Sequence, residues 1–165
     1  MWNLLFSLAF RADATHHASV LQALRDLRRS LPCPECRASF AEFFRRVPPP
    51  DKPEALARWL WQCKDAVNQK LSRRSASFEQ VRARYTHFPV TTSERALIDL
   101  VAVFCAAEAD AAHVRSALHH LLTAARSILS ARFCELALEN LPDATAVDAT
   151  ALHAYAAGLR AVRFG

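Results

Sequence analysis

Apolar positions along this chain recur at the spacing of helices, not of strands. Val20, Leu21, Leu24 and Leu27 fall on one stripe, and Phe40, Phe43 and Phe44 follow at i, i+3 and i+4. This pattern predicts helices over residues 2–10, 18–30, 34–47, 54–71 and 78–85. Beyond them it predicts an apolar helix with Ser93 as N-cap, then helices over 111–130, 132–140 and 150–163. Leu31-Pro32, the run Pro48-Pro49-Pro50 with Pro53, the polar stretch 72–77, residues 87–90 and Leu141-Pro142 separate them. Leu56, Leu60, Val67 and Leu71 read as inner positions of the fourth helix. Trp59 and Trp61 cannot share one of its faces, so one belongs to the core and the other is free for a ligand. No internal repeat is visible in the sequence.

Composition narrows the class to all-α. Apolar residues make up 52% of the 165, and β-branched residues are sparse. The only glycines, Gly158 and Gly165, lie at the far end, which excludes glycine-rich phosphate loops, the dinucleotide fingerprint and the nucleophile elbow. Any nucleotide must be held by side chains and helix surfaces. Five cysteines are too few for a disulfide-dense scaffold. The apolar start, residues 2–10, lacks a basic flank and is broken by Arg11 and Asp13, so it reads as a buried helix and not as a signal peptide. With no stretch of transmembrane length, an intracellular location is expected. Charge is uneven: 15 basic against 8 acidic residues through Tyr85, and 6 against 8 beyond it. The basic half suits an anionic ligand or a solvated arginine face.

The chemistry concentrates at Cys33-Pro34-Glu35-Cys36. A CxxC at a helix start places a sulfur against free backbone N–H groups and the positive end of the dipole, which favours a reactive thiolate. Proline between the cysteines sets the helical entry. Half of a zinc site is the competing reading, but no second CxxC or paired histidines follow at metal spacing, and no metal is expected. A thioredoxin fold needs a strand before the motif, where this chain reads as helix. Cys63 reads as an inert buried thiol. Cys105 and Cys134 are either a relay disulfide or two small apolar helix positions, and His113, His119 and His120 read as surface residues without acidic partners.

Taken together, Trp2-x-x-Leu5-x-x-x-Ala9, Leu31-Pro32-Cys33-Pro34-Glu35-Cys36-Arg37-x-x-Phe40, Trp59-Leu60 ahead of Val67-Asn68-x-x-Leu71, and Arg84-Tyr85 resemble the Erv/ALR sulfhydryl oxidases, most closely the short viral-type members. The resemblance covers roughly residues 2–85. It implies a helical bundle of four core helices plus a short fifth that holds FAD, in residues 1–88, with residues 89–165 as a helical extension of unassigned role. It implies formation of disulfides in dithiol protein clients, with electrons passed through FAD to molecular oxygen to give hydrogen peroxide, and a homodimer. Host cytoplasm or virion is the location implied for a viral-type member.

By the same resemblance Cys36 lies against the flavin as the charge-transfer thiol and Cys33 exchanges with the client. Trp2 and Phe6 flank the adenine, and Lys64, Asp65, Val67, Asn68, Lys70, Leu71 and Arg73 line the cofactor. Trp61 is the fourth-helix tryptophan assigned to it, and Arg84 and Tyr85 complete the set. Phe6 and Lys64 stand where the family has histidines. The family's structural disulfide maps to Trp61 and Phe78, an aromatic pair able to replace it by packing. Two other readings remain open: a flavin-free helical interaction module, and a basic zinc- or nucleic-acid-binding helical protein. Nucleic acid is not the expected partner.

Overall fold

The computed structural model describes residues 1–11, 13–105 and 110–164, with side chains other than those of 90–94, 105 and 162–164. The described residues form nine α-helices and no strands. They are α1 (Trp2–Arg11), α2 (His17–Ser30), α3 (Pro34–Arg46), α4 (Pro53–Lys70), α5 (Phe78–Thr86), α6 (Val90–Cys105), α7 (Ala111–Ala125), α8 (Ala131–Glu139) and α9 (Ala149–Phe164). None is long and apolar enough to cross a membrane.

Local chemistry sets most boundaries. Asp13 accepts from His16 N–H and turns the chain through one 3₁₀ turn between α1 and α2. Cys33 caps α3, with Pro34 in its first turn. Ser77 and Gln80 form a reciprocal capping box on α5. α4 ends in a Schellman turn: Ser72 N–H bonds Gln69 O at 3.0 Å and Arg73 N–H bonds Asn68 O at 2.8 Å. Ser72 sits there at φ 53°, a left-handed conformation normally given to glycine.

Two expected boundaries move. α6 begins at Val90, directly after Pro89, so Ser93 falls inside its first turn and is not the N-cap; the fixed φ of proline prepares the entry. The helix expected over 111–130 stops at Ala125, because Ser127 Oγ bonds back to Ala124 O and Ser130 caps the next helix by accepting from Phe133 N–H.

The buried apolar residues form one cluster running from Leu4 on α1 to Leu159 on α9. α1 packs on α4 and α5, and α2 on α3; beyond them α7 packs on α8 and α6 on α9. The two sets meet along α2 against α7 and α1 against α6. Arg29 Nη1 meets His113 Nε2 at 3.2 Å, joining the end of α2 to the start of α7, so these helices run antiparallel. Inside this seam Asp26 is buried. Its carboxylate accepts from Gln22 Nε2 at 3.2 Å and from Ser116 Oγ at 2.9 Å, and it pairs with His120 Nδ1 at 2.9 Å. His120 therefore has the acidic partner that the sequence did not reveal, and His113 pairs with Asp110 Oδ1 at 3.2 Å. Arg11 Nη1 donates to Phe88 O at 2.6 Å, tying α1 to the segment before α6.

Trp59 is the core tryptophan: its ring meets Phe40, Phe43 and Phe44, and its Nε1–H donates to Val47 O at 2.8 Å. Trp61 meets Phe78 edge-to-face, centroids 6.1 Å apart at 71°, and Arg58 lies over the other aromatic of that pair at 4.1 Å. The two positions to which the resemblance assigns a structural disulfide thus hold a packed aromatic contact across the α4–α5 connection.

Candidate active site

Cys33 and Cys36 are held by the first turn of α3. Cys36 N–H donates to Cys33 Sγ at 3.2 Å, so Cys33 is itself the cap of the helix. The thiol of Cys36, and then its backbone N–H, hold the Cys33 thiol below its ordinary range by hydrogen bonding to the thiolate. The same bond between the sulfurs, followed by desolvation, pushes Cys36 up, while the Lys70 ammonium pulls it back. Cys33 is half-buried and Cys36 exposed.

Cys36 opens onto a cavity of about 480 Å³ enclosed by α1, α2, α3 and α4. Trp2, Val67, Lys70 and Leu71, four of the expected cofactor residues, line it with Cys36. Val67 is half-buried and Leu71 is 52% exposed. They are walls of this space and not the core positions their spacing suggested. Sequence reading missed Leu5, Leu27, Ser39, Phe43, Arg46 and Cys63, which complete much of the wall. The i, i+4, i+7 spacing of Ser39, Phe43 and Arg46 was the available signal. Ser39 Oγ accepts from Lys70 Nζ at 2.7 Å, fixing the ammonium on the wall it shares with Cys36. Cys63 is buried, and burial pushes its thiol up to about 12, so it is inert.

The remaining expected residues lie outside the cavity walls. Phe6 is fully buried and stacks on Tyr85 at 5.1 Å, with Trp2 at 6.1 Å. Tyr85 Oη donates to Asn3 Oδ1 at 2.6 Å. Lys64 Nζ lies 5.7 Å from the Trp2 ring and 5.8 Å from Phe6, and burial, then the charge of Arg84, lowers its pKa. Neither Lys64 nor Arg84 forms an ion pair among the described residues. Asp65 accepts from Gln69 Nε2 at 2.8 Å. Asn68, expected to need a ligand edge, finds its partner in Ser75, donating from Nδ2 to Oγ at 3.1 Å. Trp61 donates to Ala76 O at 2.9 Å, and the backbone of Arg73 closes α4. Cys134 is buried on α8, and the side chain of Cys105 lies outside the described residues, as does any relay between them. No cluster of metal-ligating side chains occurs among the described residues.

This donor set suits a flavin nucleotide. A mainly apolar slot with a sulfur at its edge matches a planar ring, although Glu35 and Glu42 also line it. Outside its walls Lys64 and Arg84, without an ion-pair partner among the described residues, match phosphate. Helices that carry a capped dithiol onto such a slot define a thiol–disulfide redox protein. The match of residues 1–86 to the Erv1/Alr family model places the chain in that family, whose members are FAD-linked sulfhydryl oxidases. Neither the curated proteins nor the solved structures yield a match.

Proposed function

We propose that the chain is an FAD-dependent thiol oxidase that forms disulfides in dithiol protein clients, with oxygen as the final acceptor and hydrogen peroxide as product. A client thiolate attacks Cys33 Sγ of the oxidised pair, the Cys33–Cys36 bond breaks, and Cys36 leaves as thiolate. The second client thiolate then attacks the client sulfur of this mixed disulfide and expels Cys33. The lowered pKa of Cys33 suits that departure, since a thiol of lower pKa leaves faster. Two electrons and the client's new disulfide balance the reduction of the pair to the dithiol.

Val67, Leu71 and Lys70 would hold the ring end of FAD, Trp2 its adenine, and Lys64 with Arg84 its phosphates. Bound FAD would supply the acceptance of two electrons from the dithiol and their delivery to oxygen. Lys70, anchored by Ser39, keeps a positive charge beside Cys36 and favours its thiolate.

The observation that carries this reading is Cys36 lining the apolar cavity while bonded to a helix-capping Cys33. Absorption spectroscopy of the purified chain and oxygen uptake with dithiothreitol test it. Flavin bands and uptake that vanish in Cys36→Ser support it. A colourless protein that refuses added FAD and leaves thiols unoxidised in air overturns it.

A further inference from the structure

We infer that helices α6 to α9 are a degenerate second copy of the four-helix unit formed by α1 to α4, set about an approximate two-fold axis, and that this copy occupies the place of a partner subunit. The inference rests on the packing and on family membership, and stands apart from the oxidase reading.

Helix order and packing repeat. α1 packs on α4 as α6 packs on α9, and α2 packs on α3 as α7 packs on α8. The sets then meet like on like, α1 with α6 and α2 antiparallel to α7. Contact between equivalent elements is what a two-fold produces.

The detail agrees at the start of α3 and α8. Cys33 Sγ accepts from Cys36 N–H at 3.2 Å, and Ser130 Oγ accepts from Phe133 N–H at 3.4 Å. In this register Cys36, Ser39 and Phe43 of the first unit fall on Phe133, Leu136 and Asn140 of the second. Those first three line the cavity beside α4, and the second three line a separate cavity of about 340 Å³ beside α9. The helices facing them agree as well. Cys63, Ala66, Val67, Lys70 and Leu71 of α4 contribute to the first wall, and Ala151, Ala154, Tyr155, Gly158 and Leu159 of α9 to the second, at identical spacing.

The substitutions between the copies remove chemistry, and the only helices walling the second cavity are α8 and α9, where the first also has walls from α1 and α2. Serine replaces the capping thiol, phenylalanine replaces the second thiol, and the Ser39–Lys70 anchor becomes Leu136 and Gly158. A Cβ added at Gly158 would meet nothing within 4 Å, so the missing side chain leaves open space. The second cavity therefore has neither a sulfur pair nor a cation. What remains of the copy is its face: α7 covers α2, burying Leu118, Leu121, Leu122 and the Asp26 carboxylate. A family unit without these helices would expose that face, and a second subunit is one way to cover it. Here one chain supplies both halves and keeps a single working site.

Light scattering and sedimentation of the purified full chain test this. A mass of 18.4 kDa across the micromolar range is expected; a stable dimer overturns the built-in partner. Released flavin should not exceed one per chain, and two per chain overturns the degeneracy. The register is tested by S130C with F133C in a C33S, C36S background. The new pair should close to a disulfide, seen as resistance to alkylation in intact-mass spectra, under oxidant that closes the natural pair. Failure to close overturns the equivalence of α3 and α8. A monomeric chain that closes this pair yet binds no flavin supports the copy and sinks the oxidase reading.

Discussion

Asp26 on α2 and His120 on α7 lie 94 positions apart in sequence and meet at 2.9 Å inside the seam between the two halves. Ser116 and Gln22 complete the shell of that carboxylate. A buried carboxylate is tolerable only when its acceptor capacity is used, and truncation strands the groups that satisfied it. Asp26→Ala is expected to destabilise the fold by about 1–3 kcal/mol. Urea unfolding measures it; a change under a few tenths of a kcal/mol would show the seam to be held by its apolar contacts alone.

Ser72 sits in the left-handed region at φ 53° to close α4, with no Cβ-free residue to relieve the strain. Ser72→Gly should therefore stabilise the protein by about 0.5–1 kcal/mol, raising the denaturant midpoint without changing the slope. Any destabilisation would mean that the serine side chain contributes more than the backbone strain costs.

The two thiols of the pair should titrate in opposite directions. Cys33, whose thiolate is favoured by the Cys36 thiol, should alkylate with a midpoint below the ordinary thiol value of about 8.5, and Cys36 above it. Lowered pKa means that the reactive form survives to lower pH, so the Cys33 rate falls only once pH drops through its own depressed midpoint. Removing the nearby ammonium in Lys70→Met should move the Cys36 midpoint further up while leaving Cys33 in place. Mass-resolved alkylation against pH, on the reduced protein, distinguishes them.

Turnover should separate Cys33 and Cys36 from the buried thiol of Cys63 on the cavity wall. Cys33→Ser and Cys36→Ser are each expected to abolish disulfide formation, followed as oxygen uptake. Cys63→Ala, which removes a buried thiol raised to about 12, should leave kcat within about twofold. A large loss at Cys63 would mean that it carries electrons.

Trp61 and Phe78 should be energetically coupled across the α4–α5 connection. A double-mutant cycle with Trp61→Ala and Phe78→Ala is expected to give a coupling of about 0.5–1.5 kcal/mol. Independence of the two changes would remove the aromatic pair as the fastener of this joint.

Much of the helical frame is legible in the sequence because its signals are local. The stripe of Val20, Leu21, Leu24 and Leu27 and the prolines at 34 and 53 mark helices found within a few residues of where they are expected. The capping pair Cys33 and Cys36 is legible for the same reason, since a cap needs only four consecutive residues. The cavity is not, because its walls come from four helices and only the fold brings Leu27 or Ser39 toward Lys70. Nor is the partner of His120, which no spacing connects to Asp26. The second copy is hidden in another way: what it keeps is the positions that face a cavity, while Ser130, Phe133 and Gly158 have replaced the residue types that would reveal it.

The edge-to-face contact of Trp61 with Phe78 has a consequence for the proposed trade in sulfur–sulfur bonds. A cystine at this joint would answer to the same reducing agents that empty the working pair, so the scaffold would loosen as its substrate accumulated. Two carbon rings are blind to electron supply. Under the proposed activity this corner of the molecule would keep its shape through every cycle of charging and discharging, and in surroundings too reducing for a cystine to last.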